Sequence, residues 1–470
     1  MSGNFEWVKP VLDVINGFFV VYLIGYSTFL FLSVVVGSSV LYKRRKQEKL
    51  KSILQHNYKV PISILVPAYN EEITVVETVR SLLDLDYELY EIVVIDDGSQ
   101  DNTSEKLISA FHMHAIRRPM HYKIPCQPIE FIYETMDEKV PLTLIRKANG
   151  GKADSLNLGI NACRYPYFIC MDADSALQHD SLTKIMQPIL SSKDTVAVGG
   201  VIRPANDVEL EHGRVVRYKL PTNLIACMQA LEYDRSFLAS RILLAQFNGS
   251  LIISGAFGLF KKDIVIQAGG YDTATVGEDM ELVVKLHEYC IANDLPYRVE
   301  YVPDTVCWSQ APERLRDLCK QRKRWHLGLF QSMWKHRTML VNPKYGAVSL
   351  ISYFYFLVYE LLSPFIEILG IFSVLAAYVF DLINVRFMVL FFLIYTVFGC
   401  VLTLTVFFAR IYTADLKVTP KDAAKAIFLC FFEVAFLRFV LSWVRATAFW
   451  GYQRQKLNWG KIQRQKLQLK

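Results

Sequence analysis

Residues 62–70 read ISILVPAYN, an apolar run that stops on a polar loop. The pattern returns at 91–99, EIVVIDDGS, and at 167–175, YFICMDADS, where apolar runs end in acids. Between the first two, EEITVVETVRSLLDLDY (71–87) has helical periodicity, with Val75, Val76, Val79, Leu82 and Leu83 on one face. Residues 101–112 are also expected to be helical, and LTLIRKANGGKADSLNLGI (142–160) reads as strand, glycine turn, helix. Strands alternating with helices predict a parallel sheet covered by helices. Such sheets bind ligands beyond the carboxyl ends of their strands, where Asn70, Asp96, Asp97, Asp172 and Asp174 all fall. This α/β unit is expected over about residues 60–330.

The rest of the chain is apolar. Of the 470 residues, 52% are hydrophobic, and mean hydropathy is positive. Residues 11–42 carry a single charge, Asp13. A bilayer crossing takes about 20 apolar residues, so this block spans once. It is too long for a signal h-region and has no A-x-A-like cleavage site, so it is expected to be an anchor. Residues 348–380, broken by Ser363-Pro364, are read as one kinked helix or two short passes. Residues 386–409 are read as a span, and 423–450 as a span or an interfacial segment. The net charge of +7 is concentrated beside these blocks, in KRRK (43–46) and in the tail 451–470. Positive loops stay cytoplasmic, which puts the N-terminus outside and residue 43 onward inside. It also favours two or four passes after residue 330. The charge sits beside membrane segments, so no nucleic-acid partner is expected. The nine cysteines show no metal spacing. The expected division is an anchor and basic flank (1–46), an α/β domain (47–310), interfacial helices (311–345), membrane helices (346–450) and a basic tail (451–470).

The acids admit two readings each. Asp172 and Asp174 either cap the next helix or hold a hard divalent cation together with substrate phosphates. Asp96 or Asp97 suits a base NH or a ribose hydroxyl. Lys152, opening a helix after Asn149-Gly150-Gly151, is either a surface lysine or a diphosphate contact. Glu278 and Asp279 either complement a helix dipole or supply a general base. In QRKRW (321–325), Gln321, Arg324 and Trp325 share a helical face. Arg322 and Lys323 point elsewhere, toward lipid headgroups. Glu360, Glu367, Glu433 and Arg438 either line a water-filled path, pair with one another or sit at the interface. Tyr353, Phe354, Tyr355, Phe356 and Tyr359 either line a path through the membrane, face lipid or pack.

In order, VPAYNEE (66–72), IDDGS (95–99), GGKADSLN (150–157), DADS (172–175), SGAFG (254–258), GED (277–279) and QRKRW (321–325) resemble the family 2 glycosyltransferases. The likeness is to their processive membrane branch of cellulose, chitin, hyaluronan and poly-N-acetylglucosamine synthases. It covers about residues 60–330 and the flanking membrane helices.

The resemblance implies a GT-A nucleotide-sugar-binding domain with a mostly parallel sheet, set between transmembrane and interfacial helices. It implies that Ala68, Tyr69 and Glu71, with Asp97 or Asp96, hold the uridine. Lys152 would contact the diphosphate, with Gln321 and Arg324 alongside, and Asp172 and Asp174 would bind Mg²⁺ or Mn²⁺. Asp279, beside Glu278, would be the base. Ser254, Gly255, Ala256, Phe257 and Trp325 would meet the acceptor. Gly277 departs from the family's common threonine. The implied protein is a multi-pass enzyme of the cell membrane with a cytoplasmic catalytic domain. It would add a hexose from a UDP-sugar, glucose favoured, to a growing β-glycan and pass the polymer across the bilayer, with accessory secretion subunits as further partners. The alternatives are an N-acetylglucosamine or hyaluronan-type polymer, a single glycolipid transfer, or an inactive glycan-binding scaffold.

Overall fold

The computed structural model describes residues 8–51, 59–135 and 138–450; the basic tail at 451–470 lies outside them. Twelve strands are present: β1 (Ile62–Ala68), β2 (Tyr90–Asp96), β3 (His114–Ile116), β4 (Ile129–Glu134), β5 (Leu142–Lys147), β6 (Tyr167–Met171), β7 (Ser175–Leu177), β8 (Thr195–Pro204), β9 (Glu209–Glu211), β10 (Arg214–Arg217), β11 (Phe257–Lys261) and β12 (Arg298–Ser309). Ten form one sheet in the order β3-β4-β5-β2-β1-β6-β11-β8-β12-β7, and β9 and β10 form a separate hairpin.

β5, β2, β1 and β6 are parallel neighbours. Every residue of β1 and β2 is buried, as expected of strands covered on both faces. The covering helices include α2 (Val75–Leu83), α3 (Thr103–Ala110) and α4 (Lys152–Ala162). In α2 the expected face is the buried one, led by Val75, Val79 and Leu82.

The sheet is mixed. β11 runs antiparallel between β6 and β8, with Phe257 opposite Met171 and Gly258 opposite Gly199. The chain therefore enters β11 at the end where β6 delivers Asp172. This reversal brings the 254–256 loop to the acids.

Helices carry the second half of the site. They are α5 (Leu224–Arg235), α6 (Glu278–Ala292) and α7 (Leu315–Lys335). The apolar segments form α1 (Val8–Lys51), α8 (Val348–Leu361), α9 (Ser363–Val379), α10 (Val385–Thr413) and α11 (Pro420–Phe449). KRRK continues α1 instead of ending it, and Arg44 reaches Asp304 of β12 at 2.9 Å. Among the described residues, three helices are long and apolar enough to cross a membrane: α1, α10 and α11. α8 and α9 meet at a 48° bend beside Pro364 and make a fourth crossing if the pair is one span.

Of Glu360, Glu367, Glu433 and Arg438, two pair with each other and two meet arginines outside the set. Glu367 accepts from Arg438 at 2.6 and 2.9 Å, Glu433 meets Arg235 at 3.1 Å, and Glu360 lies 3.9 Å from Arg445. Of the α8 aromatics, Tyr353, Tyr355 and Phe356 are buried, and Phe354 is exposed. Tyr355 stacks on Phe29 and Tyr359 meets Tyr22 of α1.

Candidate active site

One side of the candidate site is built where β1, β2 and β5 end. Asn70 turns the chain with φ 55°, accepts from the Gln100 amide at 2.8 Å and donates its own N–H to Ser99 Oγ. The two polar loops foreseen after β1 and β2 are thus bonded to each other. Glu71 is buried and accepts from the Thr74 hydroxyl at 2.8 Å. Ala68 is buried, and its carbonyl accepts from the Asp97 amide at 2.9 Å. That leaves Tyr69, half-buried, as the member of this loop with side-chain surface.

Asp96 and Asp97 require a correction. Neither presents a free carboxylate to the cleft. Asp96 is 1% exposed and accepts from the Ser99 amide at 2.8 Å and from the Ser104 hydroxyl. Asp97 accepts from the Gly150 and Gly151 amides at 2.9 and 2.7 Å, from Asn149, and from Lys147 Nζ. A buried carboxylate needs such partners, and here the partners are the neighbouring loops.

Lys147 was missed by sequence reasoning. It is fully buried between Asp97 and Asp154, 2.8 Å from the latter. The available signal was a cation at the end of an apolar strand in the same segment as the glycine turn.

Lys152 joins the two sides. Gly151 precedes it as the helix cap with φ 89°, a conformation suited to glycine. Lys152 Nζ donates to Asp172 Oδ1 at 2.5 Å and to the Gly255 carbonyl at 3.0 Å, and lies 3.8 Å from Glu278 Oε1. Burial alone would lower the pKa of this lysine; the charges of Asp172 and Glu278 outweigh it and raise the value. Burial raises the Glu278 pKa and Asp279 adds to the rise, against the pull of Lys152 and Arg324. Arg324 therefore lies close enough to Glu278 to favour its ionised form.

Asp279 Oδ2 accepts from the Gly255 amide at 3.0 Å. A Cβ at Gly255 would stand 3.1 Å from Lys152 Nζ and 3.3 Å from Asp279 Cβ, so the bare backbone lets these three residues converge. Ser254 and Gly255 are half-buried at this junction. Ala256 and Phe257 are not on it: Ala256 is 8% exposed, Phe257 is 0% exposed, and both belong to the main core. The alternation of β11 turns Phe257 inward, and a Cβ on Gly200 would collide with its ring. Phe257 is thus a core residue, a correction to its expected acceptor role.

The departure at Gly277 has a local reason. A Cβ there would meet Gly328 Cα of α7 at 2.7 Å. The paired glycines put the start of α6 in backbone contact with α7, seating QRKRW beside Glu278 and Asp279. Gln321 holds a buried Oε1 without a hydrogen-bond partner, and Trp325 is 42% exposed. Arg322 does not face headgroups. It is 8% exposed and pairs with Glu232 of α5 at 2.7 Å.

The two DxD acids are half-buried at the end of β6. Among the described residues, no group of three or more His, Cys, Asp or Glu converges on one point.

Residues 167–409 match Glycosyl transferase family group 2, and residues 63–122 match Glycosyl transferase family 2. The poly-beta-1,6-N-acetyl-D-glucosamine synthase of Staphylococcus aureus (strain COL) is 31% identical over 310 residues, 65% of this chain and 64% of that protein. The protein of that name from Staphylococcus epidermidis is 29% identical over 323 residues, 67% of each chain. The chain thus spans about 64% of the length of the first of these relatives. Among solved structures, a mannosyltransferase from Pyrobaculum calidifontis in complex with GDP-Man and Mn²⁺ superposes with a TM-score of 0.48 at 16% identity, covering 92% of this chain and 99% of that one. The first of the two family matches takes in more than half of the chain, from the strand that delivers Asp172 through α10, and this protein belongs to the family 2 glycosyl transferases.

Proposed function

We propose that this protein is an inverting, membrane-embedded polymerase that adds N-acetylglucosamine from a UDP-sugar to the end of a β-linked glycan and passes the product across the bilayer. The observation that carries the reading is the convergence at Lys152 of a DxD acid, the Gly255 loop and the first turn of α6. A donor diphosphate and an acceptor hydroxyl need to meet at such a point. The sequence alone leaned toward glucose. The relatives named for N-acetylglucosamine polymers favour the other sugar.

The roles follow from position. Tyr69 faces the uracil and Lys152 meets the diphosphate. Asp279, oriented by the Gly255 amide, takes the proton from the acceptor hydroxyl. The freed oxygen attacks the anomeric carbon, the bond from that carbon to the diphosphate breaks, and UDP departs with the electron pair. One displacement inverts an α-linked donor to a β-glycoside. Glu278, with its raised pKa and its place beside Lys152, belongs to the leaving-group side. Closing the cleft around the acceptor excludes water as a competing nucleophile.

The donor set fits a divalent cation. Asp172 is about a third exposed at a strand end. Two carboxylates two residues apart suit a hard cation that takes one or two protein carboxylates and completes its shell with phosphate oxygens and water. Asp172 and Asp174 would hold Mg²⁺ or Mn²⁺, which when bound neutralises the departing diphosphate.

The test is a side-by-side incubation of the full chain, in membranes with divalent metal, with radiolabelled UDP-N-acetylglucosamine and UDP-glucose. The expected result is label from the first donor in a polymer. Label from glucose alone, or a single lipid-extractable sugar, overturns the reading.

A further inference from the structure

α5 carries three charges within four residues, and each is paired with a different helix. Arg235 meets Glu433 of α11 at 3.1 Å, and Asp234 meets Arg410 of α10 at 3.2 Å. These two pairs tie α5 to the membrane helices. Glu232 holds Arg322 of the QRKRW helix at 2.7 Å.

That third pair bears on the acceptor side of the site. The Arg322 guanidinium lies over the Trp325 ring, 4.5 Å from its centroid. The ring of Tyr233, next to Glu232, is 6.5 Å from the same indole at 32°. Trp325 is therefore contacted by a cation and an aromatic and still keeps 42% of its surface exposed. A sugar ring stacks on an indole only if the indole is held in one orientation. A flat cation lying on one face of the indole restrains its rotation. The cation is itself held only while its carboxylate partner is in place.

We infer that Glu232 is a positioning residue. Through Arg322 it fixes the Trp325 ring as the platform for the acceptor sugar, and so couples sugar transfer to the helix that is pinned to the membrane bundle. This rests on the proposed polymerase function and on the acceptor role that the family resemblance implies for Trp325. Glu232 touches neither donor nor acid, so its loss should leave donor use intact. Acceptor capture should fail, and the donor should be lost to water instead.

The experiment uses the full chain in nanodiscs with UDP-N-acetylglucosamine. It follows UDP release, polymer formation and UDP affinity in wild type and in Glu232→Gln. The expected result is a fall of about tenfold in polymer formed per UDP released, with the donor KM and UDP affinity within about twofold of wild type. If polymer and UDP release fall together, or if polymer per UDP is unchanged, the positioning role is overturned. Should Glu232→Gln fail to accumulate, Arg322→Lys carries the test, since lysine keeps a charge opposite Glu232 and loses the flat cation over the indole. It should show the same uncoupling, and normal coupling in that variant overturns the inference. A wild-type protein that makes no polymer from this donor refutes the proposed function instead, and is told apart by that control.

Discussion

The two halves of the site are held in different ways. On the donor side, β1, β2 and β5 end in groups that the protein itself occupies. Asp96 is bonded to Ser99 and Ser104, and Asp97 to Lys147 and the glycine turn. That half is a finished cleft, fixed by a sheet buried on both faces. On the acceptor side, the Asp279 carboxylate accepts a hydrogen bond from the Gly255 amide of the 254–256 loop. The QRKRW helix reaches it through a glycine-to-glycine contact and is tied by the Arg322–Glu232 ion pair to α5, which is itself tied to α10 and α11. The donor half should therefore respond to mutation as a folding unit, and the acceptor half as an assembly that loses chemistry before it loses structure.

The largest effect expected on this contrast is Asp279→Asn. Removal of the proposed general base should lower transfer by about 10² to 10⁴ while UDP binding, measured by calorimetry, stays near wild type. Loss of both together would erase the distinction between the halves. Lys147→Met is the donor-side counterpart. It leaves Asp97 and Asp154 buried without their cation and should cost about 3–5 kcal/mol of stability, read as a large drop in melting temperature with UDP binding lost. A stable Lys147→Met protein with normal binding would show that the donor cleft is not held as described.

Gly328→Ala sharpens the seam. Its Cβ would meet Gly277 Cα at 2.7 Å, so α7 must shift, at a cost of about 1–3 kcal/mol. Transfer should fall about tenfold with a smaller change in donor affinity. An unaffected enzyme would mean that the backbone contact is incidental.

The smallest effect is one of pH. His287 of α6 is buried, bonded to the Ser250 carbonyl and Tyr297, and burial lowers its pKa from 6.5 to about 4. As pH falls through that window the unfolded chain takes up a proton that the folded one refuses. Stability present above pH 6.5 is then lost toward pH 4, about 1 kcal/mol per pH unit. Melting curves at pH 7.5 and 5.5 should show this drop, and His287→Gln should reduce it.

Much of the donor side was legible in the sequence, because apolar runs ending in polar loops report strand ends directly. The inward turn of Phe257 was not. A motif match carries the order of residues, and the side of the sheet each one faces depends on the reversed direction of β11. Arg322 was misread for a related reason: helical spacing says which residues share a face, and nothing about Glu232 waiting 90 residues earlier. The membrane charges were found as charges, but Arg235 as partner to Glu433 lies 198 residues away. Long-range pairing of this kind leaves no local signal.

The most direct test of the account is the product itself. Full-length protein in membranes, given radiolabelled UDP-N-acetylglucosamine and divalent metal, should yield a long labelled chain that a β-specific N-acetylglucosaminidase digests to the monosaccharide. An α-linked product, or a single sugar on a lipid, would contradict it.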